Sequence, residues 1–103
     1  MTRFRSVCTA KYGHFAELLS LSEQLNEVSR NRGWQSATFF VPIAGEANVL
    51  VAEYDYPDLA TCDAQSKAAM ADPEWMKVFR SMAEHVYPQS ARTELLDEAP
   101  HLA

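Results

Sequence analysis

The sequence predicts an α+β fold of the ferredoxin-like, split βαβ type, with a four-stranded antiparallel sheet and helices on one face. The first observation is the order of the periodic segments: strand, helix, strand, strand, helix pair, strand. The second is the short apolar run at 49–52, which is rich in β-branched residues and lies between Gly45 and Pro57. Such a run is typical of a buried central strand.

Each element has its own signal. Alternation predicts a first strand over 2–10, and helical spacing of apolar residues from 15 to 28 predicts a helix that ends at Gly33. Segment 34–41 favours a second strand, 58–71 a weaker helix, and Asp72-Pro73-Glu74 a strong helix start. A last strand is predicted over 90–96. We expect one domain over 1–103, with an ordered core of about 2–96 and a frayed tail over 97–103.

The inner strands are apolar on both faces. One predicted face carries Phe4, Cys8, Leu50 and Ala52, and the other carries Val7, Val49 and Val51. The chain has helices for only one face, and a sheet that is apolar on both faces must cover both. We therefore expect a homodimer, in which a second copy covers the second face.

Composition excludes several classes of partner. The 103 residues are 48% hydrophobic and carry a formal net charge of -5, which disfavours nucleic acid and anionic membranes. No apolar stretch approaches the ~20 residues of a membrane span. The two cysteines belong to no Cys-x-x-Cys pair, so we expect reduced thiols and a cytoplasmic protein.

The chain resembles the NIPSNAP-like group of the dimeric α+β barrel superfamily, to which antibiotic-biosynthesis monooxygenases also belong. The resemblance covers roughly residues 4–96 and is carried by the central-strand segment 48–54, by Leu59-Ala60 and by the stretch 72–75, Asp-Pro-Glu-Trp. It implies two sheets packed face to face in a homodimer, with a pocket in each protomer between sheet and helices. Relatives include cofactor-free oxygenases, cyclases, isomerases, haem enzymes and proteins without known activity, so it implies no single reaction.

Most cofactor chemistries lack their sequence signatures. The histidines follow no known metal-ligand spacing, the three glycines lie far apart, and no serine lies in a Gly-x-Ser-x-Gly motif. We therefore expect no metal and no organic cofactor, and a colourless protein. His85 is the one candidate for an axial haem ligand; the other reading is a helix-terminal histidine favoured by the helix dipole.

Acid–base chemistry in an apolar pocket remains. Arg5 and Glu53 are predicted to share a face, and because the first and third strands are antiparallel neighbours, Arg3 or Arg5 is expected across from Glu53. The charged pair is either a structural ion pair at the dimer interface or part of a site. His14 is the best lone catalytic candidate, because a helix start disfavours the imidazolium and keeps a neutral base available. The other reading is an exposed turn histidine. The family often has Lys or another polar residue at that turn, so His14 departs from the common pattern.

The large aromatic residues are mostly expected in the core, and a few of them line the pocket. The candidate ligand-binding residues are Trp34, Phe39, Tyr54, Trp75, Phe79 and His85. The leading hypothesis is a cofactor-independent oxygenase, cyclase or isomerase that acts on a small hydrophobic molecule, aromatic or polyketide-like, in secondary metabolism. The alternative is a non-catalytic member of the same fold that binds a ligand or a partner chain.

Overall fold

The structure is a computed structural model that describes residues 1–100. Four strands and three α-helices follow one another with two short 3-10 turns near the end: β1 Thr2–Thr9, α1 Phe15–Asn31, β2 Thr38–Phe40, β3 Val49–Tyr56, α2 Leu59–Ala71, α3 Pro73–Met82, 3-10 turns Ala83–His85 and Pro88–Ser90, and β4 Arg92–Asp97. Positions 101–103 of the predicted tail, which include His101, lie outside the described residues.

The sheet has the predicted ferredoxin-like topology. Its strand order is β2-β3-β1-β4, and every neighbouring pair is antiparallel. The predicted central strand is confirmed, because β3 lies between β2 and β1. The register sets Arg5 opposite Glu53 on one side and opposite Glu94 on the other.

The two faces of the sheet carry the predicted side chains. On the helix side, Ala10 and Leu50 form a buried core cluster with Leu18 of α1, and Cys8 and Phe39 pack against it. The opposite, open face carries the odd-numbered residues of β1 and their partners, because successive side chains of a strand point to opposite sides. Its members include Arg3, Arg5, Val7, Val51, Glu53 and Asp55.

Both later helices begin at the predicted aspartates. Asp58 Oδ1 accepts a hydrogen bond from the Thr61 N–H at 2.7 Å, and Asp72 Oδ1 accepts one from the Trp75 N–H at 3.0 Å. These are N-cap bonds, which satisfy helix donors that have no partner within the helix. The hydrogen bond from Thr61 holds the pKa of Asp58 below its usual value, and that from Arg32 does the same for Asp72.

The second strand is shorter than predicted and begins at Thr38 instead of residue 34. The preceding backbone is bound by α1: the Asn26 side chain donates to the Ala37 carbonyl at 2.8 Å and accepts from its N–H at 2.7 Å. The Trp34 N–H likewise donates to the Ser29 carbonyl at 2.9 Å. These groups satisfy the main chain outside the sheet, so 34–37 do not extend the ladder.

The last strand also begins later than residue 90. Ser90 closes the second 3-10 turn, and its hydroxyl accepts from the Thr9 N–H at 2.9 Å. Thr9 in turn ends β1, and Ala10 continues it only as an isolated bridge to Val86. Within residues 1–100, no helix combines the length and the apolar character needed to cross a membrane.

Candidate functional site

Two histidines that lie 71 residues apart in sequence meet where β1 passes into α1. His14 is the N-cap residue of α1, and His85 closes the 3-10 turn after α3. The bridge between Ala10 and Val86 and the bond from the Lys11 N–H to the His85 carbonyl, at 2.8 Å, hold the two segments together. The backbone therefore brings both imidazoles to one place.

The imidazoles are within hydrogen-bonding distance of each other. His14 Nδ1 lies 3.0 Å from His85 Nδ1, and the ring planes are tilted by 50° with centroids 5.2 Å apart. Both side chains are half-buried. A hydrogen bond between two Nδ1 atoms requires a proton on one of them and a lone pair on the other. The two rings therefore form a coupled pair, where the sequence indicated two separate candidates.

A surface hollow lies beside this pair. It is a shallow depression, open to solvent, of about 410 Å³, and it is lined by His85 and one side of α1: Ala16, Glu17, Ser20, Leu21 and Gln24. None of the α1 residues that line this hollow was among the predicted site residues. Glu17 and Gln24 line the hollow only because His85 packs beside α1. That contact is between distant parts of the sequence, so no local sequence pattern predicts it.

A second hollow of about 490 Å³ continues along α1 and shares Ser20 and Gln24 with the first. Its other lining residues are Glu23, Asn26, Glu27, Arg30 and Phe39. Of the six predicted ligand-binding residues, His85 lines the first hollow and Phe39 the second. The first therefore holds an apolar side chain, Leu21, beside a titratable ring, and the second is largely polar.

Arg5 and Glu53 meet as predicted, but away from the histidines. Arg5 Nε donates to Glu53 Oε2 at 2.7 Å on the open face of the sheet, whereas α1 and the core lie on the other face. Glu53 is 15% exposed and Arg5 is 32% exposed. The three predicted catalytic groups therefore do not converge: His14 belongs to the histidine pair, and the other two bind each other.

The ion pair is one part of a larger charged network on the open face. Arg3 binds Asp55 through two bonds of 2.7 and 3.0 Å and approaches Glu53 at 3.5 Å, and Arg5 approaches Glu94 at 3.5 Å. The hydrogen bonds from Arg3 hold the pKa of Asp55 below its usual value. Positive and negative groups alternate across three strands, so each arginine has a carboxylate partner.

The remaining aromatic residues that were predicted to bind a ligand make packing contacts and hydrogen bonds within the fold. Trp75 stacks on Phe79 with centroids 5.1 Å apart, and its Nε1–H donates to Ser29 Oγ of α1 at 3.2 Å. Tyr54 lies on the helix side of β3 between Phe4 and Tyr56, at centroid distances of 5.9 and 6.4 Å, and burial raises its pKa. Trp34, tied to Ser29 through its N–H, follows the end of α1.

Among the residues that the structure describes, the histidine pair has no third partner of the kind that a metal site needs. Among residues 1–100, no three His, Cys, Asp or Glu side chains are grouped so that they could hold a metal ion. Since Nδ1 of His85 is turned to His14, Nε2 is the ring nitrogen left for a ligand. What the arrangement can do by itself is hold and move a proton at that atom.

Comparison with known proteins agrees with the fold. The structure is similar to a NIPSNAP domain protein from Burkholderia xenovorans, with a TM-score of 0.80, 16% identity and coverage of 100% of this chain and 99% of that one. It is also similar to an antibiotic biosynthesis monooxygenase, with a TM-score of 0.74, 20% identity and coverage of 97% and 100%. A third similar structure is a NIPSNAP family protein from Agrobacterium tumefaciens, with a TM-score of 0.77, 14% identity and coverage of 95% of this chain and 92% of that one.

At these identities the structural likeness establishes the fold alone, which is ferredoxin-like. No curated protein matches the chain. The sequence itself matches the NIPSNAP family over residues 9–99, which includes the histidine pair, the central strand and the helix start at Asp72. The chain belongs to the NIPSNAP family.

Proposed function

We propose that this chain is a homodimeric enzyme that performs acid–base chemistry, without a cofactor, on a small hydrophobic molecule of aromatic or polyketide type. One observation carries the proposal: His85 lines a hollow of about 410 Å³ while its Nδ1 is bound to His14 at 3.0 Å. A titratable ring that is held by a second group and borders a surface hollow is an arrangement that suits a general acid or base.

The hollow offers the other elements of such a site. Ala16 and Leu21 give it apolar surface, and Glu17, Ser20 and Gln24 add groups that orient a ligand. Cofactor-free oxygenation, cyclisation and isomerisation each begin with removal of a proton from the substrate. A positioned acid or base contributes typically ~10²–10⁴-fold to such a step.

The homodimer is the second part of the proposal, and the open face of the sheet supports it. Val7 and Val49 are already buried in the single chain, but Phe40 and Leu96 at the two sides of this face are 49% and 36% exposed. With Arg92, which lies 3.8 Å from Glu94, the charged network beside them holds three arginines and three carboxylates, so a second copy brings no excess of like charge. Such a face suits a self-complementary partner.

Light scattering tests the dimer. The expected mass is twice the 11.6 kDa of the chain. Phe40→Lys should shift the equilibrium toward monomer, because it sets a charge in the covered face. Leu59→Lys is the matched control, since Leu59 is similarly exposed, at 57%, but lies on α2. A wild-type protein that stays monomeric at high micromolar concentration contradicts this part of the proposal.

A binding and turnover assay tests the enzyme. Phenols, naphthols and short poly-β-ketones are incubated with the protein in air, with binding followed by tryptophan fluorescence and products by mass spectrometry. His85→Ala should fold and lose turnover, whereas Lys77→Ala, at an exposed position of α3, should behave like the wild type. Turnover that survives His85→Ala would remove the proposed role of the pair.

A non-catalytic ligand-binding or interaction protein is the second candidate, and one observation favours it. Arg5 and Glu53, two of the three predicted catalytic groups, bind each other away from the hollow. Binding without any product in the same assay selects this candidate. Under either function, we propose a cytoplasmic protein of secondary metabolism, in line with its net charge of -5 and its unpaired cysteines.

A further inference from the structure

The two histidines of the pair have different roles. Resting on the proposed function, we propose that His85 is the base, which takes a proton at Nε2 from the ligand in the hollow. His14 is then a positioning residue, whose Nδ1 accepts a hydrogen bond from the Nδ1–H of His85 across 3.0 Å. This assignment moves the catalytic role from the residue that the sequence favoured to its partner.

The positions of the two residues on their helices determine where a positive charge is tolerated. His14 is the N-cap of the 17-residue helix α1, and its carbonyl accepts the first helical bond, from the Leu18 N–H at 3.0 Å. Partial positive charge gathers at that end of a helix and disfavours an imidazolium. His85 lies at the carboxyl end of the continuous run of α3 and its 3-10 turn, where a cation is favoured. The helix positions therefore support His85, and not His14, as the residue that takes the proton.

The direction of the hydrogen bond follows from the chemistry of the ring. A neutral imidazole has one N–H and one lone pair. If His85 donates from Nδ1, its Nε2 carries a lone pair and can accept a proton. If His14 donated instead, His85 would already carry its hydrogen at Nε2 and could not act as a base there. For proton uptake by His85, only the first arrangement keeps the same bond before and after the proton is taken.

The hollow also selects the ligand. Glu17 lines the same hollow as His85, so its carboxylate disfavours an anionic ligand there. The ligand class is thus a neutral molecule with a weakly acidic C–H or O–H bond. That bond breaks, its proton forms the N–H bond at His85 Nε2, and its electron pair stays on the ligand as an enolate or phenolate.

Nitrogen-15 NMR of the imidazoles tests the assignment without any ligand. Long-range proton–nitrogen correlation spectra of the neutral pair in the full-length protein show which ring nitrogen carries hydrogen. The expected result is Nδ1–H at His85 and Nε2–H at His14. The reverse pattern, with Nδ1–H at His14, would overturn the proposal.

Two substitutions separate positioning from structure. His14→Asn keeps an acceptor oxygen near the place of Nδ1, so His85 should stay in the Nδ1–H form. His14→Ala removes the acceptor, and the ratio of Nδ1–H to Nε2–H at His85 should fall by about twofold to tenfold, as expected for one lost hydrogen bond. An unchanged ratio in a folded His14→Ala protein contradicts the positioning role. Correct tautomers with no ligand binding contradict only the proposed function.

Discussion

Breaking the ion pair between Arg5 and Glu53 distinguishes a structural role from a functional one. The pair is well formed, with Nε and Oε2 at 2.7 Å, and Glu53 is only 15% exposed. Each of the two residues also has a second partner of opposite charge. Arg3 Nη1 lies 3.5 Å from Glu53, and Arg5 Nη1 lies 3.5 Å from Glu94. The loss of either partner is therefore compensated in part.

The expected cost lies between two limits. Exposed ion pairs contribute about 0.2–1 kcal/mol, and breaking a fully buried pair costs about 3–5 kcal/mol. Because Glu53 is largely buried but keeps Arg3 nearby, Arg5→Ala and Glu53→Ala should each lower the free energy of unfolding by about 1–2 kcal/mol. That corresponds to a fall in Tm of about 4–8 °C per kcal/mol in a chain of this size. If a second copy covers the face, the cost rises toward the upper limit.

Thermal and urea unfolding of both single mutants and the double mutant, at fixed protein concentration, measure the coupling between the two residues. A structural pair predicts a coupling energy of about 1 kcal/mol. Lys67→Ala is the control: Lys67 pairs with Asp63 at 2.9 Å, but both side chains are more than half exposed, so no measurable loss is expected. A coupling below about 0.3 kcal/mol would refute the reasoning. Stable single mutants that lose ligand binding would instead favour a functional role.

Three further perturbations test the packing. Leu18→Ala, at a side chain with 0% exposure, should cost about 2–5 kcal/mol in urea unfolding, whereas the exposed control Leu59→Ala should cost under about 0.5 kcal/mol. Asn26→Ala leaves both backbone groups of Ala37 without their partner and should cost about 1–3 kcal/mol by the same measurement; a smaller loss means that water replaces the side chain. Burial, with smaller effects of nearby groups, raises the pKa of Tyr56 to about 12. The neutral phenol is therefore favoured in the folded state, and it contributes stability below pH ~10. The free energy of unfolding should fall by up to about 2.7 kcal/mol as the pH rises from ~10 to ~12. Tyr56→Phe should reduce the alkaline loss, of which Tyr54 and Cys8, whose pKa values burial also raises, retain a part, and an unchanged loss contradicts the assignment.

The sheet and the two faces of its inner strands could be predicted from the sequence, because local signals determine them. Period-two alternation assigned each residue of β1 and β3 to a face, but it left either Arg3 or Arg5 opposite Glu53, and the structure shows that it is Arg5. The aspartates at 58 and 72 marked both helix starts, because an N-cap is a short-range interaction between a side chain and the backbone.

The histidine pair and the short second strand could not be predicted, because both depend on long-range contacts. His14 and His85 meet through backbone bonds between Lys11 and the turn after α3, and no spacing rule links positions 71 apart. The start of β2 is set by the Asn26 side chain, which reads in the sequence as one more polar residue of α1. Sequence periodicity predicts which side of its helix or strand a residue faces, but it does not predict which distant residue lies against that side.

Chemical-shift mapping of ligand binding tests the central claim most directly, since it reports both whether a small molecule binds and where. In a titration of the labelled protein with a neutral phenol or naphthol, the largest backbone shifts should fall on Ser20, Gln24 and His85 around the first hollow, and His85→Ala should abolish them. Residues of the open sheet face, such as Arg5 and Glu53, should stay unchanged. Shifts centred on that face, or shifts at the hollow that persist in His85→Ala, would contradict the account.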